Sequence, residues 1–143
     1  MPELKIVIGD PKTKRSVQKV IDETKAKSLV GKKIGDTIVG TSIGFSGYEF
    51  QITGGSDSGG TPMRPDLPGQ LKRKILIVKG VGHTNAGKGI RIRRTMAGNT
   101  ITQKTSQVNL KILKHGKDKI EGLEEQKEAA KGAEPTAEGK DKK

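Results

Sequence analysis

Two short segments carry the residue types from which chemistry could be built. Gly82-His83-Thr84-Asn85-Ala86-Gly87-Lys88-Gly89 has the G-x-x-x-x-G-K spacing of a nucleotide-phosphate loop, in which glycine amides wrap phosphate oxygens and a lysine neutralises them. Directly after it, Ile90-Arg91-Ile92-Arg93-Arg94 alternates apolar and cationic side chains. On a strand, that pattern puts Ile90 and Ile92 on one face, to anchor in a core, and Arg91 and Arg93 on the other, where guanidinium forks match phosphate oxygens. The first segment lacks the rest of its chemistry. Gly89 stands where a hydroxyl should hold Mg²⁺, the following segment reads as strand instead of helix, and no carboxylate follows until Asp118. What remains is a basic, glycine-rich loop whose amides and Lys88 can meet phosphates. The two histidines, His83 and His115, with no Cys beside them, supply neither a metal site nor a proton relay, and no nucleophile-elbow pattern frames a catalytic triad. The sequence therefore predicts no catalytic residue, no cofactor and no metal. A nucleotide-binding enzyme using residues 82–88 stands as the alternative that the missing hydroxyl and missing helix argue against.

Charge gives the arginine segment its context. Between Asp66 and Asp118 lie 51 positions with twelve Lys or Arg and no Asp or Glu. Surface ion pairs need acids, and this stretch has none, so its charges either repel one another or are met by a polyanion, whose binding releases condensed counterions. The residues predicted to contact RNA are Arg64, Lys72, Arg73, Lys79, Lys88, Arg91, Arg93 and Arg94. Lys72-Arg73-Lys74 precedes an apolar run that Lys79 closes, where the cations could also serve as gatekeepers against aggregation. Lys12, Lys14 and Arg15 form a second candidate patch in a turn. The aromatic residues, Phe45, Tyr48 and Phe50, lie within six positions of one another and are expected in the core, so base stacking is expected to be a minor mode. Folded RNA, held by phosphates and shape, is the expected partner.

The elements that must position these residues are short. With 143 residues, 30% hydrophobic content and 20 glycines, the chain has room for one domain with a modest aliphatic core and frequent tight turns. The absence of Cys removes a disulfide framework and favours an intracellular address, while no apolar run approaches the ~18 residues of a membrane span. Residues 1–10 show neither a basic leader nor a signal-type apolar core, so a soluble protein without an export segment is expected. Residues 1–117 hold 22 basic and 8 acidic side chains, and residues 118–143 hold 6 and 8. That break predicts a body over 1–117 and a charged low-complexity tail over 118–143, flexible or partly helical.

Within the body, Leu4, Ile6 and Ile8 alternate up to the Gly9-Asp10-Pro11 turn, which predicts a first strand. Val17, Val20 and Ile21 predict a weaker second, and Asp22 can cap one or two helical turns over 22–29. Further short β runs are predicted at 37–39, 48–53, 74–79, 90–95, 100–102 and 107–113, separated by glycine turns. Gly35-Asp36-Thr37-Ile38 and Gly98-Asn99-Thr100-Ile101 resemble each other and read as two turn-to-strand entries instead of a duplicated half-barrel. The fold class is mainly β: a small β-barrel-like domain of roughly six to eight short strands with at most one short helix, followed by the tail.

The segment Gly54-Gly55-Ser56-Asp57-Ser58-Gly59-Gly60-Thr61-Pro62-Met63 is followed by Lys-Arg-Lys-Ile-Leu-Ile-Val from Lys72, Lys-Gly-Ile-Arg-Ile-Arg-Arg-Thr from Lys88, Gly98-Asn99-Thr100-Ile101 and Gln107-Val108-Asn109-Leu110. In order and spacing, across about residues 1–123, the chain resembles the family of small-subunit ribosomal protein six of the archaeal and eukaryotic type. Two positions depart from that family's pattern: Thr61 replaces a usual Phe before Pro-Met and removes a hydrophobic anchor from the loop. Ala97 stands where Arg is frequent and trims the basic run. The tail has no Ser beyond Ser106, so the regulated serine phosphorylation of the long eukaryotic forms does not carry over, and the short archaeal form is the better comparison. The resemblance implies a structural constituent of the small ribosomal subunit, in the cytoplasm. It also implies ribosomal RNA and neighbouring small-subunit proteins as partners, with no membrane, no small-molecule substrate and no reaction. A free-standing nucleic-acid-binding regulator is the alternative that composition leaves open.

Overall fold

Alternating burial builds the first hairpin. In the computed structural model, which describes residues 4–84, 87–116 and 120, β1 (Leu4–Asp10) buries Leu4, Ile6 and Ile8 and exposes Lys5. β2 (Arg15–Ile21) returns antiparallel, with Leu4 opposite Ile21 and Asp10 opposite Arg15. The strand thus runs through the Gly9-Asp10 step, and the turn falls on residues 11–14. Asp10 holds it, accepting hydrogen bonds from the Lys12 amide (2.8 Å) and the Thr13 hydroxyl (3.0 Å), as a short acidic side chain does at a turn. Helix α1 (Glu23–Lys27) follows Asp22, whose backbone is extended as at an N-cap. Its carboxylate makes no cap bond and lies 3.8 Å from the Lys25 ammonium instead.

β3 (Thr37–Val39) leads through a 3-10 turn (Gly40–Ile43) into β4 (Glu49–Asp57). β5 (Arg73–Ile77), β6 (Ile92–Met96) and β7 (Thr105–Lys114) complete the described strands. Five of them form one sheet in the order β2-β1-β7-β4-β3, in which β1 and β7 run parallel and the other neighbours antiparallel. β5 and β6 pair only with each other, as a separate two-stranded ribbon. Among the described residues this is the mainly β architecture expected, with seven strands and one five-residue helix. The sheet is open: β2 and β3 are its edges, and no barrel closes.

One face of the sheet makes the core. Ile6 and Ile8 of β1, Val108, Leu110 and Ile112 of β7, and Phe50 and Ile52 of β4 are buried against Leu29, Ile38, Ile43 and Ile101. Each such side chain stabilises the fold by about 1.5–3 kcal/mol relative to exposure. The aromatics gather here as expected: Tyr48 stacks on Phe50 with centroids 5.7 Å apart, and Phe45 meets Phe50 edge-on at 5.9 Å. Ile120, 2% exposed, joins this core from beyond residue 117, and the rest of the segment read as a tail lies outside the described residues.

One predicted strand runs further than expected and another does not form, for identifiable reasons. β4 continues through Gly54-Gly55 to Asp57 because those residues keep pairing with β7, with register shifts on either side. Residues 100–102 form no strand. Thr100 makes one isolated bridge to Lys33, and the neighbouring amides go to loops, Asn99 N to Leu67 O (2.8 Å) and Ile101 N to Lys32 O (2.8 Å).

Candidate nucleic-acid interface

The glycine-rich segment after β4 is the joint between sheet and ribbon. The Asp57 amide donates to Thr61 O (3.0 Å) and the Gly60 amide to Asp57 O (2.8 Å), closing a tight turn that brings Pro62 back beside Ser56. Met63, 4% exposed, sits in the core and bridges Ala97, the residue after β6. On the outside of the joint, Asp57 forms an ion pair with Lys72 and accepts hydrogen bonds from the Ser58 amide (2.6 Å) and hydroxyl (3.2 Å). Burial pushes the Asp57 carboxyl up, but the Lys72 ammonium and the Ser58 donors together outweigh it and hold it below the usual carboxylate range. Gly98 fits because it has no side chain: a Cβ there would overlap the Gly69 carbonyl.

The ribbon presents its cations on both faces. Lys74 and Leu76 of β5 lie opposite Thr95 and Arg93 on one face; Arg73, Ile75 and Ile77 lie opposite Met96, Arg94 and Ile92 on the other. Arg93 and Arg94 therefore point to opposite sides, and Arg94 Nη1 reaches the Gly82 carbonyl at 3.5 Å. The ribbon is held by Ile77 and Met96, 4% and 0% exposed, not by Ile90 and Ile92. Ile90 is 52% exposed because β6 begins only at Ile92, and Ile90 itself is tied into the preceding turn by its amide, 3.2 Å from Gly87 O. Gly82, at φ 82°, packs under this anchor, where a side chain would strike Met96 and Pro62. The phosphate-loop look-alike thus leads into a strand, and its first glycine serves packing.

Seven of the eight predicted contact residues divide into two groups, and the eighth, Arg94, is exposed with its guanidinium turned to the Gly82 carbonyl. Arg73, Lys79, Lys88, Arg91 and Arg93 are exposed on the ribbon and its connecting loop, and none has an acidic partner among the described residues. Lys72 and Arg64 do have one. Asp57 and Asp66, just outside the acid-free stretch, fold back onto them, Arg64 Nη2 lying 2.5 Å from Asp66 Oδ2. The same happens at the far end of β7, where Glu49 meets the Lys114 ammonium at 2.8 Å. Ala97 is 8% exposed and pairs with Met63, so its side chain faces inward and does not belong to the basic surface. Thr61 is half-buried, and its loop is closed through backbone bonds and the Asp57–Lys72 pair.

The second basic patch lies apart from the ribbon. Asp57 pairs with Thr105 at one end of β7, whereas Gly9, next to the 11–14 turn, pairs with Lys111 near the other. Thr105 and Lys111 are six residues apart on β7, so the two places are separated by ~20 Å. Lys12 and Lys14 are exposed there, around the buried Asp10, whose carboxylate also lies 3.4 Å from His115 Nε2. Burial pushes Asp10 up, while the Lys12 amide, the Thr13 hydroxyl and His115 pull it down, leaving it below the usual range. The sequence reading did not single out one further cation, Lys104, which the fold sets with Lys72 around a surface cleft. Only its place in the acid-free stretch flagged it.

Comparison with known proteins fits this geometry. The family model described as Ribosomal protein S6e matches residues 4–125. The chain is 46% identical over 127 residues to the small ribosomal subunit protein eS6 of Archaeoglobus fulgidus, covering 88% of this chain and 98% of that protein. It is 45% identical over 123 residues to its counterpart in Methanocaldococcus jannaschii, covering 86% and 92%. With the protein of that name from Methanoregula boonei it shares 40% identity over the full length of both. A match over most of the chain by both routes, on a mainly β body with a basic ribbon, places it: the chain belongs to the ribosomal protein S6e family.

Proposed function

We propose that the chain is a non-catalytic structural constituent of the small ribosomal subunit that holds folded ribosomal RNA chiefly through phosphate contacts from the β5–β6 ribbon. Membership of the S6e family supports the ribosomal role and its cytoplasmic location, with ribosomal RNA and neighbouring small-subunit proteins as partners. The observation that carries the phosphate contacts is the set Arg73, Lys79, Lys88, Arg91 and Arg93 on the ribbon and its connecting loop, each exposed and without an acidic partner among the described residues. A two-stranded ribbon with few buried side chains is marginal alone, and unneutralised cations weaken it further. Phosphates supply the missing counter-charge, and arginine forks fix the register of the contact.

In this reading Arg94 contributes from the face it shares with Arg73, opposite Arg93, whereas Lys72 and Arg64 chiefly brace the ribbon's base through Asp57 and Asp66. Ribonucleoprotein crosslinking with residue-level mapping tests it: crosslinks from small-subunit ribosomal RNA should concentrate on residues 73–94. Crosslinks confined to the Lys12–Lys14 turn, or absence of the protein from small-subunit fractions on a sucrose gradient, would overturn it.

A further inference from the structure

At the base of the ribbon, the loop 69–72 and the segment 100–105 enclose a surface cleft of two adjoining lobes, about 370 and 380 Å³. Each is within the size range of small-ligand sites. The lobes share Gln70, Leu71, Thr102 and Lys104. The first has an apolar floor in Met63 and Ala97, 4% and 8% exposed, with the Asp57–Lys72 pair beside it. The second is lined by Val30 and Gln103 as well as the shared residues. Leu71 is 72% exposed, the most exposed large aliphatic among the described residues, and phosphate contacts give it no role. Neither the Gln70 amide nor the Lys104 ammonium has a side-chain partner among the described residues.

We propose that this cleft takes one unstacked nucleotide of the bound RNA, its base against Leu71, Met63 and Ala97 and its phosphate at Lys104. The inference rests on the RNA reading above and adds to it a site that reads a base. The chemistry of the lining matches a nucleotide part by part. A base needs apolar contact on its faces and hydrogen-bonding groups at its edge, and sequence-sensitive RNA recognition uses bases splayed out of a helix in this way. Leu71 and the Met63–Ala97 floor offer the first. Gln70, with a donor and an acceptor, and the adjacent Asp57 acceptor and Lys72 donor offer the second. The second lobe leaves room for the sugar, and Lys104 supplies the cation. Tyr48 and Phe50 are buried in the core and half-buried Phe45 packs against them, so an aliphatic clamp takes the place that aromatic stacking holds elsewhere. Lys72, which lines the cleft, immediately precedes Arg73 at the start of β5, so the cleft adjoins the first cation of the ribbon.

The test compares two RNAs, a fully paired hairpin stem and the same stem with one bulged nucleotide, binding to the full chain and to a Gln70→Ala, Leu71→Ser variant. Both replaced side chains are exposed, and thermal unfolding checks that the variant keeps its fold. The full chain should bind the bulged stem more tightly, and the variant should lose about tenfold on the bulged stem, the order of one base contact, with the paired stem unaffected. Equal affinity of the full chain for the two stems, or a variant that loses equally on both, overturns the cleft and leaves the phosphate reading standing. Failure of the full chain to bind either stem overturns both.

Discussion

Replacing Lys72 with Met destabilises the protein more than replacing Asp57 with Asn, although the two side chains form one ion pair. The asymmetry follows from burial. The Asp57 side chain is 8% exposed and the Lys72 side chain 42%. Lys72→Met leaves a buried carboxylate with the Ser58 donors but no opposite charge, at a cost of about 2 kcal/mol after allowing for the solvent already reaching Lys72. Asp57→Asn keeps an acceptor for Ser58 and lets Lys72 turn to water, at about 1 kcal/mol. For a domain of this size the difference is about 4 °C in melting temperature. Thermal and urea unfolding of the two single variants and the double variant give the order and, through the cycle, the coupling between the partners. RNA binding supplies an opposite sign: Asp57→Asn frees a cation at the ribbon's base, so the salt slope steepens by up to about 0.9, one phosphate. Equal destabilisation by the two variants, or weaker RNA binding by Asp57→Asn, would refute the claim that Asp57 braces the joint by neutralising Lys72.

Other consequences concern the core, the joint and the acid limb. Ile120→Ala should cost about 2–5 kcal/mol in chemical denaturation, since Ile120 is 2% exposed within the main core. Gly98→Ala forces a methyl group onto the Gly69 carbonyl, and a loss of about 2–3 kcal/mol, or failure to fold, is expected by circular dichroism. Asp10 and Asp57 both have carboxyl groups depressed below 3.8, so the stability they contribute is complete above about pH 5, declines as pH falls through the unfolded value and is gone below their folded-state values. Asp10→Asn should accordingly lower stability at neutral pH and flatten its fall on acidification, measured by unfolding across pH 2–7.

Much of the fold was readable because its signals were local. Leu4, Ile6 and Ile8 alternate, Gly9-Asp10-Pro11 announces a turn, and the clustered aromatics have nowhere to go but the core. The parallel pairing of β1 with β7 and the open sheet were not readable, since both depend on contacts across nearly the whole chain. The candidate interface divides the same way. An acid-free run located all the predicted cations but Arg64, yet counting charges along the chain could not show that Asp57 would fold back onto Lys72 from outside it. Period-two alternation correctly separated Arg93 from Ile92 and misplaced the anchor at Ile90, because where a strand starts is decided by its partner: β5 ends at Ile77, opposite Ile92. The cleft beside Lys104 has no sequence signature, being assembled chiefly from two loops nearly 30 residues apart in the chain.

The most direct measurement of the central claim is the salt dependence of binding to a folded small-subunit ribosomal RNA fragment, for the full chain and for a variant carrying Arg73, Arg91 and Arg93→Gln. These side chains are exposed and unpaired among the described residues, so the variant should melt near the parent's temperature. The account predicts a log–log slope shallower by about 0.9 for each duplex phosphate lost, up to about 2.7 in all, with affinity at low salt reduced accordingly. An unchanged slope and unchanged affinity in a folded variant would contradict it.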